Sequence, residues 1–154
     1  MARRCWLVKT EPDVYSIDDL RRDGRTAWDR VRNHQAKLFL RDGMQPGDRV
    51  LVYHSNAEPT GVVGIAVVEG DAMPDETQFR KGDEAHEPRA TRQAPVWWAR
   101  TLRFERGFEK CVTLAALRER PALAGMRLLA RGNRLSVMPV EPAEFACIER
   151  MAGG

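Results

Sequence analysis

The apolar residues of this 154-residue chain come in short runs closed by proline, glycine or charge, and this punctuation constrains the fold most. Cys5-Trp6-Leu7-Val8 reads as a short buried strand. It stops at Glu11-Pro12-Asp13, because proline pushes the residue before it out of the helical region. Gln45-Pro46-Gly47-Asp48 is a turn that launches the β-branched run Arg49 to His54. Glu58-Pro59-Thr60-Gly61 is a second turn, and Val62 to Val68 follows as its strand, so the two runs read as a hairpin. Gly64 inside that strand predicts a bulge or the close approach of another backbone. Val96 to Phe104 and Arg134 to Val140 supply later strands.

Short helices fill the intervals. Ser16 caps one that ends near Gly24. Asn33 caps a second running to Arg41, with Ala36, Phe39 and Leu40 on one face. Thr113 caps a third, and Pro142 suits the first turn of a fourth. There is no regular β-α-β-α rhythm and no internal repeat. The expectation is an α+β fold: a single domain over residues 1–154, built as a small curled sheet or barrel with short peripheral helices. Residues 69–95 hold three prolines and much charge with little apolar periodicity, which predicts a long loop, functional or mobile, as a rim over the site.

Several function classes lack support. Hydrophobic residues make up 43% and charged ones 31%, a globular rather than a disordered balance. No run approaches the roughly 18 apolar residues of a membrane helix, so no membrane partner is expected. Arg3-Arg4 are followed by only Trp6-Leu7-Val8 before Lys9, which is no signal-peptide core. Cys5, Cys111 and Cys147 lie far apart, with no Cys-x-x-Cys pair, so neither a disulfide framework nor a zinc site is expected. A reducing, cytoplasmic setting follows as the expectation, with nucleoid association included. No Gly-x-Gly-x-x-Gly, Walker loop or Gly-x-Ser-x-Gly occurs, and no cofactor is expected. His34, His54 and His86 are not at metal spacing. His54 and Ser55 are adjacent, so a hydrolase is one alternative, although no orienting acid can be named.

The charge is uneven. Residues 1–41 carry ten Lys/Arg against six Asp/Glu, residues 42–96 five against ten, and residues 97–135 nine against three. If the two basic stretches meet in space, they form a face able to neutralise phosphates. If the blocks intermix on folding, they are a solvated surface.

The polar residues that stand out gather at element ends: Thr10-Glu11, Trp28 through Gln35, Tyr53-His54-Ser55-Asn56, Trp97-Trp98 and Arg134-Leu135-Ser136. Singly each has a plain structural explanation, such as Asn33 as a cap or Trp28 and Trp98 as core. Together they supply what holds one flat base: aromatic faces for stacking, amides and hydroxyls for its edge, arginines for phosphates. A pocket for a free base or nucleoside is the other binding alternative.

At these residues the chain resembles the EVE domain family. The matching runs are Trp6-Leu7-Val8-Lys9-Thr10-Glu11-Pro12-Asp13, Tyr15 to Leu20, Trp28-Asp29-Arg30-Val31-Arg32-Asn33-His34-Gln35-Ala36, Gly47 to Asn56, and Gly132 to Val137, in order over essentially the whole chain. The resemblance implies a PUA-like fold, a curled β-barrel with helices around it. It implies a reader of modified nucleobases that binds an extruded base without catalysis, modified cytosine in DNA being the best-supported ligand class. The partner is then nucleic acid, with DNA or RNA left open. Carried over, the base pocket comprises Thr10, Glu11, Trp28, Asn33, Gln35, Tyr53, His54, Ser55, Asn56, Trp98 and Ser136. Trp28 and Tyr53 would form its walls, and Asn33, Ser55 and Thr10 would bond the base. Arg32, Lys37 and Arg134 would supply positive charge, unless Arg32 or Arg134 pairs with Glu11. The chain departs from the family in having Thr10 where Ser is usual, Arg30 for Gly, His34 for Tyr and Lys37 for Arg. Arg30 adds bulk and charge beside the expected site.

Overall fold

Six strands form one mixed sheet, and the alternation of their side chains explains why both of its faces are covered. The computed structural model describes residues 4–153. The strands are β1 (Cys5–Thr10), β2 (Arg25–Trp28), β3 (Arg49–His54), β4 (Gly61–Pro74), β5 (Trp98–Thr113) and β6 (Val137–Val140), in the spatial order β2-β5-β4-β3-β1-β6. Among the described residues only β1 and β3 run parallel. Trp6, Val8, Val50 and Val52 point into one core with Leu20 and Leu40. Leu7, Leu51 and Tyr53 point into the other, with Leu117, Phe145 and Ile148. A period of two applied to fully buried strands gives two cores instead of one wet face.

The helices are short and well capped: α1 (Ile17–Asp23), α2 (His34–Leu38), α3 (Leu114–Arg118) and α4 (Pro142–Met151). Ser16 and Asp19 form a reciprocal capping box on α1, and Asn33 and Thr113 cap α2 and α3 through their side chains. Pro142 opens α4. Each of these starts was legible in the sequence.

The strands are longer than expected. β1 runs on to Thr10, β4 to Pro74 and β5 to Thr113, while β6 begins at Val137 and not at Arg134. The extensions are largely polar and partly exposed, Val112 being buried, so they lack the apolar alternation that marks a strand, yet their backbones stay paired, as Met73 of β4 with Ala99 and Val112 of β5 with Val62. β2 was missed altogether, because it is four residues with only Trp28 buried. Gly64 behaves as expected: the β4–β5 register shifts beside it, and a Cβ there would lie 2.5 Å from the Arg106 carbonyl oxygen.

The long loop expected over 69–95 is corrected in its extent. Residues 69–74 belong to β4, and the rest is fastened by buried polar contacts. Asp75 and Gln78 are fully buried. Asp75 accepts from the Arg32 guanidinium (2.9 Å), from the Arg30 amide (2.7 Å) and from Thr77. Gln78 donates to the Asp75 and Trp97 carbonyls and accepts from the Val96 and Trp97 amides. Charged composition hid this, because the anchors are polar side chains with buried partners.

The outer strands β2 and β6 are not paired with each other in the sheet, so no closed barrel of hydrogen bonds exists among the described residues. β2, the end of β1 and Ser136 just ahead of β6 nevertheless line a common hollow, and that hollow is the candidate site.

Candidate functional site

A cleft of about 370 Å³ opens where the two ends of the curled sheet approach each other. One wall is the end of β1 with the turn after it: Lys9, Thr10, Glu11, Val14 and Tyr15. The other is β2 and the turn leaving it, Thr26 to Val31, and Ser136 ahead of β6 closes one side. The volume lies at the small end of the range for ligand pockets, which suits one ring system.

Local sequence builds each wall. Proline at position 12 ends β1, and the following turn presents Tyr15, whose backbone oxygen accepts from the Thr10 hydroxyl at 2.8 Å. The Tyr15 ring meets Trp28 edge-on at a centroid distance of 6.3 Å, and its phenol donates to Asp23. Trp28 is 7% exposed, so it is at once core and cleft wall. Beyond it the chain turns sharply. Arg30 takes a left-handed backbone (φ 64°), its amide held by Asp75 and its guanidinium on Asp83 at 2.8 and 2.9 Å. Glycine would adopt this conformation without strain. Arginine supplies instead a bond that fastens residues 80–85 beside the cleft.

The sequence-selected residues divide. Thr10, Glu11, Trp28 and Ser136 line the cleft. Four others surround it without lining it. The Ser55 amide donates to the Thr10 carbonyl at 3.0 Å, and Asn56, itself left-handed at φ 49°, donates to the Glu11 carboxylate. His54 accepts the Ile17 amide on Nε2 at 3.1 Å, which holds the start of α1. Burial lowers the His54 pKa, against the pull of Asp18, so the ring is favoured neutral. Its lone pair is therefore spent on Ile17, and a His54-to-Ser55 base–nucleophile pair is not formed. Asn33 spends its side chain capping α2.

The remaining assignments are placed elsewhere. Tyr53 is a correction: it pairs with Lys9 across the parallel ladder and points into the opposite core, 4% exposed, with the Lys9 ammonium over its ring. Parity along β3 decides this, since His54 and Tyr53 must face opposite sides. Arg32 is also corrected. Its guanidinium is committed to Asp75, Thr77 and the Ala85 carbonyl instead of being free for phosphate, and the alternative partner Glu11 is not the one it takes. Lys37 lies over the Trp97 ring, Gln35 is exposed on α2, and Trp98 sits at the start of β5 under Arg41. Arg134 is exposed and carries no ion pair among the described residues.

Sequence reasoning missed Tyr15 and Asp29. Both lie inside runs already singled out, one residue from a selected position or within the first turn, so adjacency was the available signal. Asp29 is half-buried in the cleft. Burial, reinforced by the charge of Asp75, pushes its carboxyl pKa up, while Arg30 and Arg80 pull the other way.

The charge blocks intermix in part. Arg25, Arg30 and Arg32 of the first basic stretch pair with Glu69, Asp83 and Asp75 of the acidic middle. In the third stretch Arg103 pairs with Glu69 as well, whereas Arg118, Arg120, Arg131 and Arg134 are exposed without ion pairs among the described residues. Two other hollows, one beside Cys111 and Met151 and one beside Trp6 and Phe39, contain none of the selected polar residues. No helix is long and apolar enough to cross a membrane, and no cluster of three His, Cys, Asp or Glu could hold a metal ion, among the described residues.

Comparison with known proteins places this geometry. The EVE domain profile matches residues 4–151. Human thymocyte nuclear protein 1 is 33% identical over 159 residues, covering 91% of this chain and 70% of that protein. A Pseudomonas syringae crystal structure superposes with a TM-score of 0.92 at 38% identity, over 96% of this chain and 99% of that one. The crystal structure of the human protein in complex with DNA containing 5-methylcytosine superposes with a TM-score of 0.91 at 32% identity, over 98% of both chains. Order of motifs, fold and coverage agree, and the chain belongs to the EVE domain family.

Proposed function

We propose that this protein is a nucleic-acid reader that takes a single extruded base, a modified cytosine in DNA, into the cleft between β1 and β2. The observation that carries the reading is the likeness, over nearly the full length of both chains, to a human protein captured on DNA containing 5-methylcytosine. The chain's own geometry supports it. The cleft is ring-sized, walled by Trp28 and Tyr15, and holds polar groups at its margin. A base drawn from a duplex costs a few kcal/mol in lost stacking and pairing. Aromatic contact returns about 1–3 kcal/mol per ring. Phosphate contacts from exposed arginines, Arg134 and Arg131, which lie close before Ser136 in sequence, make up the remainder. The curled sheet is the PUA-like frame that brings the two walls together.

The test is a panel of labelled oligonucleotides differing at one position, cytosine or 5-methylcytosine, as DNA and as RNA, followed by fluorescence anisotropy at two salt concentrations. The reading predicts tightest binding to methylated DNA, weakening as salt rises. Binding of a free nucleoside as tight as that of the oligonucleotide, with no salt dependence, would replace it with a small-molecule pocket.

A further inference from the structure

Most polar groups around the cleft already have partners. The Thr10 hydroxyl donates to Tyr15, the Glu11 carboxylate accepts from Asn56, and the Tyr15 phenol donates to Asp23. The Arg30 guanidinium places both terminal nitrogens on Asp83 and so leaves its own neighbour, Asp29, alone. Asp29 is different. Its carboxyl lines the cleft, is half-buried, takes a hydrogen bond from its own backbone amide, and makes no hydrogen bond or ion pair to another described residue. A half-buried carboxyl with only its own amide as donor keeps acceptor capacity to spare, and a ligand in the cleft can fill it.

We infer that Asp29 is a specificity-determining residue of the cleft, the acceptor for the exocyclic amino group of the bound base. This rests on the reading of the cleft as a base pocket and says which bases it admits. Among pyrimidines, cytosine presents an amino donor at position 4, whereas thymine presents an oxygen acceptor at the same point. An aspartate accepting from the cytosine amino group is a recurrent pairing for that reason. Both the neutral and the ionised carboxyl have an oxygen free to accept, so the role does not depend on which form prevails. The raised pKa reflects the burial of this carboxyl beside the charge of Asp75. A cation is a poorer occupant, because no group of three metal-ligating side chains gathers around Asp29 among the described residues.

The distinguishing pair of ligands is 5-methylcytosine and thymine. Both carry the 5-methyl group, and they differ only along the pairing edge. Placed singly in otherwise identical single-stranded DNA, they avoid any difference in duplex pairing. Fluorescence anisotropy with the wild-type protein should show 5-methylcytosine bound about tenfold or more tightly than thymine. Asp29→Asn should bring the two within about twofold, since its amide can turn to accept from one base or donate to the other. The variant should hold thymine at least as tightly as wild type does, which also shows that it is folded. Wild type binding both alike, or Asp29→Asn keeping the full preference, overturns the assignment while leaving the reader intact. Wild type binding neither oligonucleotide overturns the reader and the assignment with it. If Asp29→Asn binds neither, Asp29→Ser is measured in its place under the same two criteria.

Discussion

Replacing Asp75 by asparagine keeps the side chain's shape and removes its charge. Asp75 is fully buried and accepts from four donors: the Arg32 guanidinium, the Arg30 amide, and the Thr77 amide and hydroxyl. Burial alone would raise its pKa, but the hydrogen bonds from Thr77, Arg32 and the Arg30 amide lower it. In Asp75→Asn one oxygen becomes a donor facing donors, and Arg32 keeps a charge with no counter-ion. Breaking a buried pair from one side costs about 3–5 kcal/mol. The Arg32 side chain is 25% exposed, so water partly replaces the partner and the lower figure applies, about 3 kcal/mol. Unfolding entropy near 2.1 cal/mol/K per residue gives a chain of this length roughly 0.3 kcal/mol/K, so the loss corresponds to about 9 °C in Tm. Differential scanning calorimetry measures this directly. Asp75→Asn combined with Arg32→Met should recover most of the loss, because no lone charge remains. A single-variant loss under about 3 °C, the size expected of a surface pair, would refute the claim that Asp75 fastens residues 75–97 to the turn that shapes the cleft.

Three further outcomes follow from the same geometry. Gly64→Ala should cost about 1–3 kcal/mol in urea titration, because its Cβ would meet the Arg106 carbonyl and the Ile17 side chain and the β4–β5 ladder must part. His54 has a folded pKa below its unfolded value of about 6.5, so the unfolded chain binds more protons just below that pH and stability falls as pH drops through this window. His54→Gln keeps an acceptor for Ile17 and should flatten that limb in Tm measured from pH 8 to pH 5; an unchanged limb assigns it to other groups. Arg134→Gln should reduce the slope of log K against log salt for DNA by about 0.9, while leaving the preference for 5-methylcytosine unchanged.

Much of the fold was legible where a local rule had one answer. Ser16, Asn33, Thr113 and Pro142 each mark a helix start because a cap or a missing amide acts over three or four residues. Gly64 was legible because a strand interior has few other uses for glycine. The far ends of β4 and β5 were not, since their polar residues face solvent and their pairing comes from the partner strand. The parallel β1–β3 pairing was hidden for the same reason: it joins segments separated by α1, β2 and α2. In the site, polar residue types found the right segments but could not tell lining from support. Thr10 and Trp28 line the cleft, whereas Asn33, His54 and Arg32 hold the backbone and the 75–97 segment that frame it. Tyr53 shows what parity adds, because one step along β3 moves a ring to the opposite core.

The central claim is that a base enters the cleft between β1 and β2. Amide chemical shifts of the ¹⁵N-labelled protein, recorded while DNA bearing one 5-methylcytosine is added, test it most directly. The account predicts the largest changes at Thr10, Ala27 to Val31 and Ser136, and smaller ones for the same DNA unmethylated. Changes centred on Cys111 and Met151, or equal changes for both DNAs, would contradict it.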